Sequence, residues 1–364
     1  MMSLNRQLST YLDLIRVVCA LLVVLSHLGH GHLVGGYLWA FTAVGNEAVM
    51  AFFVLSGFVI AFVTDQRERS MVSFAAARLG RLYSVILPAM LLTLGLDAIG
   101  QTINAESYTN SRAFSSSDPL ADYILSAIML NQSWDVTQHF GSNGAYWSIP
   151  FEFWYYFIFG SFMLLKDWAR WLCTGLSVAL AGPKILVLLP VWLMGVAVYY
   201  LLQRRKPGHW ALVASLGSLA LLTWMLWTDV TGFGKSTFWG MTPNGLPWQY
   251  VVGLCFAVHI YGATGLAQWL AKPFLWFARP LALLSGSSLA LYLFHLPIIA
   301  LVNAIAAAQG RSVYTTAAMI ILPFAVAMTL GYWCELQKKP LRARLLKLLT
   351  KAEQTRTAVK HPND

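Results

Sequence analysis

The sequence predicts an all-α fold: a polytopic transmembrane helix bundle of about ten spans with both termini cytoplasmic. Three observations carry that reading. Of 364 residues, 58% are hydrophobic and 11% charged, and the mean hydropathy is +0.60. Apolar runs of about 20 residues, the length that crosses a bilayer core, recur along the chain. With the N-terminus inside, 20 of the 25 Lys and Arg fall in inner segments, four fall outside and Arg16 lies within a span. The positive-inside rule then fixes the orientation. That distribution also argues against a nucleic-acid partner, despite a formal net charge of +10.

The first span, near 8–28, reads LDLIRVVCALLVVLSHL and holds Arg16 and His27. Ionisable groups inside a membrane are costly and face a cavity, a partner or a reaction path. At a spacing of eleven residues the two side chains point the same way, about 16 Å apart along the axis. They cannot bond to each other, but one long ligand can reach both. Asp13, three residues before Arg16, is a same-helix ion partner that gives both a structural reading. The start MMSLNRQL, followed by Asp13 and Arg16, does not read as a cleavable leader, so this span is expected to stay in the protein.

The second span, near 45–64, places Glu47 at its outer end and the small pair Ser56-Gly57 at its middle, where small residues permit close helix packing. The third, near 80–101, is entered through ARLGRLYS. Its Arg78 and Arg81 share one helix face and suit bidentate phosphate binding as well as ordinary inner flanking. In the long outer loop, roughly 102–145, the patch YILSAIML is too short to span and is expected on the membrane surface or over the outer mouth.

The fourth span, near 146–165, opens AYWSIPFEFWYYF, so Glu152 follows Trp147 on an apolar background and needs a partner or a wet cavity. Four apolar runs follow near 168–182, 184–203, 210–228 and 248–270. The outer segment 229–247 between the last two carries glycines and aromatic rings able to stack on a sugar, though it also reads as a plain loop. The ninth span, near 281–308, contains LYLFHLP, with His295 at mid-membrane and Pro297 beside it. A kink is expected there. The tenth, near 313–336, ends at Glu335 before Lys338 and Lys339, a local ion pair.

The chain divides into a membrane domain over 1–338 and a basic cytoplasmic tail over 339–364. The tail's leucines at helical spacing suit an anionic leaflet and a solvated helix equally. Cys19, Cys173, Cys255 and Cys334 fall in spans without metal or disulfide spacing and read as packing residues. His27, His30 and His32 have no neighbouring carboxylate or cysteine to complete a tetrahedral set, so no metal is expected.

Five of these motifs, in order over about residues 11–340, resemble acyltransferase family 3: the Arg-x10-His run, FFVLSGFVIA, Arg78/Arg81, WSIPFE and LYLFHLP. These are integral-membrane O-acyltransferases of the bacterial surface-glycan and nodulation-factor modifying type. The resemblance implies His27 as the essential catalytic residue, Arg16 as its motif partner, and Arg78 and Arg81 as binders of acyl-coenzyme A. Many relatives have Asp where this chain has Glu47. The family also implies an acyl-CoA donor, acetyl-CoA first, a carbohydrate or glycolipid acceptor, no permanently bound cofactor, and a place in a bacterial inner membrane.

On that reading Glu152 or Glu47 orients the His27 ring, and Asp13, Ser56, Trp147 and His295 are candidates for the substrate path. A general-base role and a covalent acyl-histidine both fit His27. A multi-pass transporter or flippase for a glycan or small molecule fits the same buried charges. The ordered motifs and the arginine pair favour the enzyme.

Overall fold

The computed structural model describes residues 6–30, 33–109, 118–205, 207–228, 245–269 and 275–360. All regular structure among them is helical. The main elements are α1 (Arg6–Gly29), α2 (Gly45–Gln66), α3 (Met71–Asn104), α4 (Pro119–Ala127), α5 (Ile149–Leu164), α6 (Asp167–Leu186), α7 (Leu189–Arg204), α8 (His209–Trp227), α9 (Leu246–Trp269), α10 (Ala278–Gln309) and α11 (Val313–Lys360). Local chemistry sets several starts. Ser70 caps α3 by accepting from the Ser73 amide at 3.2 Å, Asp118 caps α4 through the Ala121 amide at 3.0 Å, and Pro119, Pro150 and Pro190 sit in first turns, where a missing N–H costs nothing.

Each of the ten predicted apolar segments coincides with a helix. Among the described residues six are long and apolar enough to cross a membrane, and a seventh arises if α6 and α7 are taken together across their 106° bend. That is fewer than the ten crossings expected. Of the other four, α5 and α7 are only 16 residues long and start deep in the bundle. Ser56, which meets Glu152 of α5 and Trp192 of α7, lies about 16 Å along α2 from its outer end, at about 1.5 Å per residue.

α2 runs through the centre, packed on α1, α7 and α9, while α10 packs on α1, α3 and α11. The α2–α7 crossing is backbone on backbone. A Cβ at Gly57 would meet the Trp192 carbonyl, and one at Gly195 would meet the Val54 carbonyl. Outward-facing Trp, Leu and Val on α8 stay exposed, as on a lipid-facing helix.

Residues 110–117 lie outside the described set, but from α4 onward the chain inserts between α3, α5 and α10. Tyr83 of α3 donates to the Ala127 carbonyl at 2.6 Å, Trp154 to the Met129 carbonyl at 2.8 Å, and Asn143 to the Leu293 carbonyl at 2.7 Å. The short apolar patch is thus part of an element tied to the bundle, with Ile124 and Ile128 still exposed on its other side. Lys184, expected in an outer connection, is fully buried and satisfies that element's Val136 carbonyl and Thr137 hydroxyl at 2.7 and 2.6 Å.

α10 runs unbroken through Pro297. α11 likewise continues past residue 338 without a break. Its basic extension neither lies flat nor hangs free at this point: Arg342 packs its backbone 3.1 Å from the position of a Gly80 Cβ on α3. All four cysteines are free. His32 and residues 229–244 lie outside the described residues.

Candidate active site

A narrow cavity opens in the bundle core between α1, α2, α3, α5 and α10. Arg16, Ser56, Arg81, Glu152, Tyr156 and Tyr292 supply its polar wall, and phenylalanines and aliphatic residues of α2 supply the rest. A long ligand with a charged head and an apolar stem matches such a lining.

Each cation and carboxylate in it is held differently. Arg16 donates to Ser285 Oγ at 3.0 Å and pairs with Asp13 at 3.4 Å, and Ser285 donates to the same Asp13 oxygen at 2.7 Å. The expected same-helix ion pair is present, with a serine from α10 as its third member. Glu152 accepts from Ser56 Oγ at 2.7 Å and from the Tyr156 hydroxyl, one helical turn on. Trp192 Nε1 closes the network on Ser56 at 3.3 Å. Arg81 makes no hydrogen bond among the described residues. Arg78 is buried, its guanidinium 5.7 Å from the Phe74 ring centre and its Nε without a partner.

His27 stands beyond the cavity's outer end. The ceiling between them is Phe52 and Tyr292, edge to face with ring centres 6.3 Å apart, and Tyr292 is anchored by Ser148 at 2.8 Å. Above it His27 Nδ1 lies 2.9 Å from the Val23 carbonyl and 3.2 Å from His295 Nε2, while His295 Nδ1 lies 3.0 Å from the Leu291 carbonyl. A carbonyl only accepts, so both Nδ1 atoms carry the proton. His295 Nε2 is then a lone pair facing the His27 Nδ1–H, and His27 Nε2 is a lone pair with no hydrogen bond among the described residues. The ring is preset as a base or nucleophile.

The carboxylates sit elsewhere. Glu47 accepts from Trp248 Nε1 at 2.8 Å and ties α2 to α9; Glu152 belongs to the cavity. Neither reaches His27. Its described side-chain hydrogen-bond partner is His295, which the sequence offered as an interhelical hydrogen-bond partner, a catalytic group or part of a substrate path. Trp147 packs edge-on against Phe53 and Phe151 and does not line the cavity. Sequence reasoning missed Tyr156, Ser285 and Tyr292. Tyr156 had a readable signal, four residues after a buried glutamate on one helix face; Ser285 and Tyr292 come from a distant helix and had none. Among the described residues no group of three His, Cys, Asp or Glu is arranged to hold a metal.

The family profile described as an acyltransferase domain matches residues 9–335, nearly the whole chain. The chain belongs to acyltransferase family 3. Within that family it is similar to an O-acetyl transferase of Shigella phage Sf6, at 32% identity over 161 residues, covering 42% of this chain and 45% of that relative. The shared stretch thus spans less than half of the relative's length. No solved structure matches. This family 3 member is helical throughout its described residues, with Arg16 lining the cavity and His27 further along the same helix.

Proposed function

We propose that this acyltransferase moves an acyl group, acetyl first among them, from cytoplasmic acyl-coenzyme A to a hydroxyl of an extracytoplasmic carbohydrate or glycolipid, in a bacterial inner membrane. The observation that carries the reading is the free His27 Nε2, held in one tautomer above a cavity with buried cations at its other end. The basic end of the bundle is cytoplasmic by the positive-inside rule. Arg78 and Arg81 bind the donor's phosphates there, Arg16 guides the arm, and the apolar α2 wall takes the pantetheine and acyl stem.

In the transfer step His27 Nε2 removes the proton of the acceptor hydroxyl as its oxygen attacks the thioester carbonyl. The carbon–sulfur bond then breaks, and the proton on Nε2 passes to the departing thiolate. An ester and free coenzyme A result. The Phe52–Tyr292 ceiling must part for the thioester to reach His27, which makes acyl exposure conditional on movement.

Inverted vesicles carrying the protein or its His27→Gln form, given radiolabelled acetyl-coenzyme A and surface glycans, test this. Label on glycan only with His27 intact is expected. Equal transfer by an abundant, folded His27→Gln protein overturns the assignment.

A further inference from the structure

Beside the basic side of the cavity packs a helix with no assigned part in the chemistry. α11 packs along α3 and α10 there, and two close contacts fix its register. Glu335 lies against Gly286 of α10, where a Cβ would stand 3.3 Å from its carboxylate, directly beside the Ser285 that binds Arg16. About two turns further, the Arg342 backbone meets Gly80 of α3, between Arg78 and Arg81. Arg342 also reaches Glu68 and Ser73 at the start of α3, at 3.4 and 3.2 Å.

Lys338 lies between these two fixed points and ion-pairs with Glu335. Its side chain is only 24% exposed, unlike the solvated lysines further along the helix. Lys338 interacts electrostatically with Arg81 and Arg16, and Arg81 with Glu335. Four cations from three helices therefore converge, and Arg78 keeps an unpartnered Nε among them. Gathering like charges in a partly buried site costs energy that only anions recover. In the empty protein Asp13 pairs with Arg16, Glu152 and Glu68 act on the arginine pair, and Glu335 supplies the anion for Lys338.

We infer that Lys338 is a third phosphate ligand of the donor site, completing the Arg78–Arg81 pair from α11, with Glu335 holding its place until a polyanion displaces it. The inference rests on the donor reading above and extends it to the C-terminal helix. An ammonium with three donors acts as a point charge on a phosphate, complementing the forked guanidinium groups.

Binding of coenzyme A, pyrophosphate and pantetheine to the purified full-length protein in discs of zwitterionic lipid tests it, since no anionic headgroup then competes. Lys338→Gln is expected to weaken coenzyme A and pyrophosphate about tenfold, with pantetheine unmoved, while Lys338→Arg retains most of the affinity. Glu335→Gln is expected to tighten both anions, and Lys347→Gln, on the exposed part of α11, to change neither. Unchanged coenzyme A affinity in both Lys338→Gln and Glu335→Gln overturns the inference and leaves the donor reading standing. Pyrophosphate held through Lys338 by a protein that does not bind coenzyme A overturns the donor reading and keeps the anion site. A wild-type protein that binds neither removes both.

Discussion

His295 presents its Nε2 to the Nδ1–H of His27 at 3.2 Å, joining the midpoint of α10 to the end of α1. His295 itself is fully buried, and its other nitrogen is held by its own helix at the Leu291 carbonyl. The Val23 carbonyl sets the His27 tautomer, and the His295 ring shares its Nδ1–H. On the proposed mechanism His295 is a positioning residue that acts on the reaction through His27.

Removing the catalytic ring and removing its support should therefore differ in size. His27→Gln loses general-base catalysis, an expected fall in kcat of about 10²–10⁴-fold. His295→Gln loses one shared hydrogen bond of about 1 kcal/mol, expected to lower kcat by roughly tenfold. Its donor KM should stay unchanged and its pH–rate profile should move, because a different group now faces Nδ1. Steady-state kinetics across pH check this. A fall in protein abundance with an unmoved profile assigns His295 a packing role instead.

Phe52 and Tyr292 line the cavity on the side of the histidines, with the Tyr292 ring 6.3 Å from that of His295. Truncating one of the two rings should leave donor affinity intact and let water in. Phe52→Ala is expected to raise thioester hydrolysis without acceptor several-fold, measured as coenzyme A release. Hydrolysis at the wild-type rate shows that the ring does not seal the path.

Gly57 and Gly195 allow α2 and α7 to meet backbone to backbone. A methyl group at either position has no flexible neighbour to push aside. Gly195→Ala and Gly57→Ala are each expected to destabilise the protein by about 1–3 kcal/mol, read as a lower Tm in detergent. Gly175, with open space around its Cβ position, is the control: its alanine variant should melt at or above the wild type.

The segment before α5 is fastened to α3 and α10. Asp97 accepts from the Ser142 amide and hydroxyl at 2.8 and 2.6 Å, and Asn143 bonds Leu293 and Thr93. Asn143→Ala leaves a buried carbonyl and hydroxyl without their donor, an expected cost of about 1–3 kcal/mol. Because Leu293 lies two residues from His295, kcat should fall as well. Thermal unfolding and kinetics on one preparation separate the two effects; a change in neither places the anchor elsewhere.

Much of this protein was determined by the sequence alone. Apolar runs of membrane length need no partner to be recognised, so the helices appear where hydropathy places them. A helix also carries its own geometry, which is why Asp13 pairs with Arg16 and why Arg16 and His27 could be placed on one face from spacing. What the sequence does not carry is depth and partnership between distant segments. Only tertiary packing turned YILSAIML inward, buried Lys184 beneath it, gave Glu47 to Trp248 and Glu152 to Ser56 and Tyr156, and brought His295 to His27 across 268 positions. A buried polar group must find a donor or acceptor, but the chain order says only that one is needed. The fold decides which.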